Sequence, residues 1–234
     1  PQFRSSAASD VYKRQVPNGG NPQKVQRYIS DWAEALDKMI ALEPEILLPG
    51  HGFPIYGKER IQEALSTTSK FLKTIETQTV QLMNKGKSLN EIIHTVKIPD
   101  ELIKLPWLRP VYDDPEFLIR MIWRRYGGWW DGEFDRLLPA KRNEESNVWI
   151  ELIGGIEIVI DKALEMSSQG KDKIAAHLIE TAFYADETNE SVHKARKAIY
   201  EKFSMKQDSS MARNILNHAS LASAQNKRDL AEKD

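Results

Sequence analysis

Apolar residues recur at three- and four-residue spacing from Val25 through Ile29, Trp32 and Leu36 to Ile40, which predicts a helix with one apolar face. Asn21-Pro22 reads as its start, because asparagine caps a helix and proline fits the first turn, where its missing N–H costs nothing. Pro44 ends the pattern. The run Glu45-Ile46-Leu47-Leu48, closed by Pro49-Gly50, is too short for a helix and reads as a buried strand. A helix, a short buried strand and a glycine-rich loop are the layout of one layer of an α/β fold.

Beyond the loop the texture is helical. Ile61, Leu65, Leu72, Ile75 and Leu82 mark one face of a helix from Lys58 to about Lys85, closed by Asn84-Lys85-Gly86. Ser88-Leu89-Asn90-Glu91 is a capping box ahead of Ile92, Ile93 and Val96. Residues 97–114 hold Pro99, Pro106 and Pro110 and read as an irregular connector. Asp114-Pro115 opens a helix that Gly127-Gly128 ends, and Trp129 to Pro139 reads as an aromatic-rich loop. One helix is expected from about Glu144 to Ser168, a second after Gly170-Lys171, and a third after the Asp186–Asn189 turn. The last two, with small residues at their crossing, form a TPR-like pair without a second copy at a fixed period. A final amphipathic helix is expected from Met211 to Leu221, with a charged tail at 225–234.

Composition narrows the classes. The 234 residues carry a formal net charge of -1, which supplies no field for holding a polyanion and argues against nucleic acid as a partner. Cysteine is absent, so disulfides and thiolate metal sites are excluded while the compartment (periplasmic, secreted or cytoplasmic) stays open. No apolar run is long enough to span a bilayer. Residues 1–15 show neither periodicity and read either as a leader foreign to the fold or as a disordered terminus.

Two segments carry candidate chemistry. In Pro49-Gly50-His51-Gly52 an imidazole sits at a strand end between glycines that let a metal or substrate approach. His51 is read as a metal ligand or as a polar residue of a tight turn. His94, His177, His193 and His218 stand singly in predicted helices and read as surface or packing residues, so any ligands that join His51 lie outside this chain. In Arg124-Arg125-Tyr126-Gly127-Gly128-Trp129-Trp130-Asp131-Gly132, phenol and guanidinium groups at a helix end can hold an anion, and rings beside them can enclose an alkyl tail. The structural alternative is that both tryptophans pin the loop and Asp131 caps the next turn.

Taken in order, these stretches resemble one family. Leu42-Glu43-Pro44-Glu45-Ile46-Leu47-Leu48-Pro49-Gly50-His51-Gly52-Phe53-Pro54-Ile55-Tyr56-Gly57 is similar to the end of the catalytic domain of SDS-hydrolase-type alkyl sulfatases in the metallo-β-lactamase superfamily. Met83-Asn84-Lys85-Gly86 with Leu89-Asn90-Glu91-Ile92, then Tyr126 to Gly132 with Leu138-Pro139-Ala140, and Met211 to Leu216, resemble the dimerisation domain of that family. The resemblance covers about Val16 to Leu221.

The resemblance implies a mainly α chain. A truncated α/β remnant of a metallo-β-lactamase fold at 16–57 would precede a helical dimerisation domain at 58–224, with 1–15 and 225–234 outside both. It implies a homodimer and a parent enzyme that hydrolyses alkyl sulfate esters at a dinuclear Zn2+ site through metal-activated water. His51 would be a zinc ligand, and Tyr126 and Tyr112 would bind substrate. The other family ligands, an HxHxDH motif and two acidic residues upstream, have no counterpart here, so the chain alone is expected to be catalytically silent. Two alternatives stay open: an all-helical TPR-like interaction module, and a metallo-β-lactamase-fold hydrolase of another ester.

Overall fold

A computed structural model describes residues 16–49 and 53–230. The chain runs α1 (Ile29–Ile40), β1 (Ile46–Leu47), β2 (Ile55–Tyr56), α2 (Lys58–Asn84), α3 (Leu89–Thr95), α4 (Asp100–Ile103) and α5 (Pro115–Gly127). It continues through a 3-10 turn (Phe134–Arg136) to α6 (Arg142–Ile153), α7 (Ile156–Ser168), α8 (Asp172–Ala185), α9 (Glu190–Met205) and α10 (Ser210–Ser223). Two units divide between Leu137 and Leu138. The mainly helical expectation holds.

Local chemistry sets many of the helix ends. Ser88 and Glu91 close a reciprocal capping box at α3. The carboxylate of Asp114 accepts the Glu116 amide at 2.8 Å ahead of Pro115 in α5, and Asn189 caps α9 through the Val192 amide at 3.1 Å. At the end of α2 the Lys87 amide reaches the Leu82 carbonyl (3.1 Å) and the Gly86 amide reaches Met83 (2.9 Å), the paired bonds of a Schellman turn. Gly86 takes the left-handed conformation that this turn requires, at φ +71°.

In the first unit α2 packs against α1 and α5. Leu36, Ile61, Leu65, Phe71, Leu72, Ile75 and Leu118 are each 0% exposed. Burying each such side chain contributes about 1.5–3 kcal/mol, so this interior dominates the stability of the unit. The strands pair antiparallel with Ile46 opposite Tyr56 and Leu47 opposite Ile55. Period-two alternation turns Leu47 and Ile55 inward and leaves Ile46 and Tyr56 outside. The expected fully buried strand is therefore a two-residue ladder with one inner face.

The expected helix start at Asn21-Pro22 is also corrected. The Asn21 side chain accepts the Gln23 amide at 3.0 Å and closes a turn two residues on, so the asparagine caps a turn and α1 begins at Ile29. Val25, assigned to the apolar face, lies outside the helix and is exposed. The segment before it is strapped to the connector ahead of α5 and lies against the first turn of that helix. The Val16 amide bonds the Arg109 carbonyl at 2.8 Å, and the Gly20 amide bonds the buried carboxylate of Asp113 at 2.9 Å. A Cβ on Gly20 would lie 2.2 Å from the Phe117 carbonyl carbon, so only glycine fits there. Burial pushes the Asp113 carboxyl up to about 7, against the pull of the Gly20 and Asp114 amides.

The second unit holds a further correction. The single helix expected from Glu144 to Ser168 is two, α6 and α7, because Gly154 and Gly155 adopt φ +99° and +136° and interrupt the ladder. Its core gathers Val159, Ala163, Ala175, Ile179, Phe183, Val192 and Ile199. The expected pair is α8 and α9, with Ala175, Ala182 and Ala195 buried. Arg196 on α9 ties three helices together. It donates to Glu180 at 2.7 Å, to the Ala219 carbonyl at 3.1 Å and to Ser223 at 2.8 Å.

Candidate functional site

The two glycines after Tyr126 end α5 and release the chain into the aromatic loop. Gly128 sits at φ +81° and Gly132 at φ +90°. A Cβ on Gly132 would meet the Ser88 Cα at 3.2 Å, so the loop lies close against the start of α3. Polar bonds hold it. The Trp123 indole donates to the Trp130 carbonyl at 2.7 Å, the Trp130 indole donates to the Glu133 carbonyl at 2.8 Å, and the Leu89 amide donates to the Asp131 carbonyl at 2.9 Å. The Asp131 side chain accepts the Glu133 amide at 3.1 Å and the Arg136 guanidinium at 2.8 Å. Trp130 and Asp131 thus have the structural roles that the sequence allows. Trp129 does not pin the loop, being 75% exposed.

At the end of α5 four residues from two other stretches of sequence converge on Arg125 and Tyr126. The guanidinium of Arg125 lies over the Tyr28 ring at 4.9 Å and over the Tyr126 ring at 5.2 Å. It donates to the Ser30 hydroxyl and approaches the Asp31 carboxylate at 3.4 Å. Two rings hold the guanidinium plane, while its carboxylate partner is mostly in water and screened. The Tyr126 hydroxyl donates to Glu76 on α2 at 2.9 Å. Partial burial and the Glu76 carboxylate raise the Tyr126 pKa, so the phenol keeps its proton and remains a donor at neutral pH. A cation held by two rings at a helix end is a donor for a compact oxyanion, and the neutral phenol beside it joins as a donor only by turning its single proton from Glu76 to the anion.

Tyr112 is not part of this cluster. It is half-buried and precedes the N-cap of α5, whereas Tyr126 is near the other end of that 13-residue helix. At 1.5 Å per residue the two positions are about 20 Å apart, so one small headgroup does not touch both. His51 lies outside the described residues. His94 and His177 are exposed, His218 faces Asp229 at 3.0 Å, and His193 is buried edge-on to Phe183. Among the described residues no three His, Cys, Asp or Glu side chains come together as a metal site. Also among them, no helix is long and apolar enough to cross a membrane.

Sequence reasoning missed Glu76, Tyr28, Ser30 and Asp31. They lie 50 to 97 residues from their partners on α5, and no local spacing reports such a contact. It also missed Asp113, for which the Asp113-Asp114 pair before Pro115 was the sole trace, only one of the two being needed as a cap.

Comparison with known proteins places these features in a family. The alkyl sulfatase dimerisation family matches residues 88–226. A linear primary-alkylsulfatase of Pseudomonas sp. (strain ATCC 19151) is 33% identical over 156 residues, covering 66% of this chain and 30% of its own length. An (R)-specific secondary-alkylsulfatase of Pseudomonas sp. is 24% identical over 220 residues, covering 92% of this chain and 33% of its own. The chain spans about a third of the length of these relatives. The solved structure of a stereoselective inverting sec-alkylsulfatase from Pseudomonas sp. superimposes with a TM-score of 0.86 at 22% identity, over 93% of this chain and 35% of that one, which shows a shared fold. The family match covers more than half of the sequence and includes the Tyr126 loop and every helix of the second unit, and on that ground the chain belongs to the alkyl sulfatase dimerisation family.

Proposed function

We propose that this chain is the dimerising, substrate-facing part of an alkyl sulfatase, an enzyme that hydrolyses alkyl sulfate esters to an alcohol and sulfate. The observation that carries the reading is the Arg125–Tyr126 cluster within the family-matching segment. A sulfate ester headgroup is a small, singly charged oxyanion; Arg125 offers it charge-assisted hydrogen bonds, and Tyr126 adds a neutral one when its single proton turns from Glu76 to the headgroup. The Asp31 contact at 3.4 Å is long and exposed, so a headgroup competes with it at small cost. Tyr112, about 20 Å along α5, meets a long substrate only at its alkyl end.

Zinc fits the reading only in part. The described residues assemble no metal-binding group, and His51, outside them, is one imidazole where a zinc site needs three or four ligands. Zinc bound by His51 together with ligands from a longer polypeptide would supply a water acidic enough to ionise near neutral pH. The residues of this chain then bind and orient the ester and join two subunits, with 16–57 belonging to the catalytic domain and 58–224 to the dimerisation domain. Alone, the 234-residue chain is silent. Zinc and dodecyl sulfate added to the purified chain should release no sulfate above the protein-free rate. Turnover comparable to a complete alkyl sulfatase would contradict this division of labour. Sedimentation should give twice the chain mass, and a strict monomer at roughly tens of micromolar would remove the dimer.

A further inference from the structure

We infer that the apolar stripe along α6, formed by Val148, Trp149, Leu152 and Ile153, is the surface on which a second copy of this chain docks. The inference rests on the dimer reading above and assigns it a place. At 3.6 residues per turn these four positions lie side by side along one flank of the helix, and they are 56%, 52%, 72% and 41% exposed. The flank adjoins the inner face, where Ser146 is buried and Ile150 half-buried as α6 packs on α8. Asn143, Asn147 and Glu151 occupy the remaining side. Packing within the unit thus uses only part of the apolar arc of α6.

Single exposed apolar residues are ordinary, but four neighbours that include a tryptophan form a patch of the kind that marks an interaction surface. The patch continues past the helix end. A Cβ built on Gly154 lies 3.6 Å from the Ile158 side chain, which is itself 53% exposed. Two observations favour a copy of the same chain over another partner. The stripe lies inside the 88–226 stretch that matches a dimerisation family. Its four residues also carry no charge; the acidic Glu145 lies on the same flank one turn before Trp149, at the N-terminal end of the stripe, and Glu151 borders it. An apolar centre with a charged rim is the composition of a subunit interface. An uncharged stripe is also complementary to itself about a two-fold axis, where a charged one would oppose like charges.

The experiment compares the full chain with Trp149→Glu/Leu152→Glu and, as a control, Ile174→Glu, which replaces an exposed isoleucine of α8 beside Lys171 and Lys173. Sedimentation velocity should show a dimer for the chain and for the control. The double variant should be a monomer, its dissociation constant raised roughly hundredfold or more, with unchanged helical circular dichroism. Because the chain lacks cysteine, Leu152→Cys gives a second readout that keeps the stripe apolar. It should form a disulfide-linked dimer under mild oxidation, while Ile174→Cys should not. A wild-type dimer that survives the double variant, with no self-crosslink at position 152, overturns the placement and leaves the dimer reading intact. A wild-type monomer overturns both.

Discussion

Each unit of this molecule clamps an arginine between two aromatic rings, and the two clamps differ in their surroundings. Arg196 lies 4.3 Å from the Phe183 ring and 5.3 Å from the Tyr200 ring, and only 7% of the residue is exposed. Its bonds run to Glu180, Ala219 and Ser223, and each partner is a fixed part of the fold. Arg125 has similar ring geometry, but it sits at a helix end above an open loop, and its carboxylate partner Asp31 is mostly in water. The same ring geometry therefore sits in two different settings. A desolvated arginine whose donors are committed within the core holds helices together. An arginine held in orientation by rings and left with weak anionic company is available to a ligand.

The largest expected effect tests the closed clamp. Arg196→Met should cost about 3–5 kcal/mol in denaturant unfolding, because Glu180 is left as a largely buried carboxylate without its cation. A cost below about 1 kcal/mol would place Arg196 among surface residues and erase the contrast.

The intermediate effect concerns the strap beside the open clamp. The folded-state pKa of Asp113 is raised to about 7 from 3.8, chiefly by burial. A carboxyl with a raised folded pKa contributes stability that is fully present below the unfolded value and is lost as pH rises through the folded one. Stability should therefore fall as pH rises from about 4 to 7, by at most about 1.4 kcal/mol per pH unit. Asp113→Asn should flatten that slope while still accepting a backbone amide. An equal slope in the two proteins would remove Asp113 as its source.

The smallest effect falls on the open clamp. Arg125→Gln should change stability by less than about 1 kcal/mol, since the Asp31 pair is exposed and long. A loss as large as that at Arg196 would make Arg125 a structural residue.

How legible each region was follows from the range of its interactions. The starts of α3, α5 and α9 were readable because Ser88, Asp114 and Asn189 act on amides two or three residues away. The same local rule misled at Asn21, whose side chain satisfies a turn instead, and no local signal separates these outcomes. Gly154-Gly155 was visible as a pair, yet the apolar spacing continues across it from Ile150 to Ile160, and the period outweighed the break. At the site, Arg125 and Tyr126 announced themselves by composition. Glu76 and Tyr28, which make their environment, were invisible because only the packing of α2 and the strap against α5 brings them near.

The central claim is that the open clamp takes a sulfate ester headgroup, and the most direct measurement is a titration of the chain with octyl sulfate. Intrinsic fluorescence reports it, since Trp129 and Trp130 follow Tyr126 by three and four residues, and octyl glucoside supplies the same tail without charge. The account predicts saturable binding of the sulfate, weakened roughly tenfold or more by Arg125→Gln and several-fold by Tyr126→Phe, and none of the neutral detergent at matched concentration. Equal binding by the chain and by both variants would contradict it.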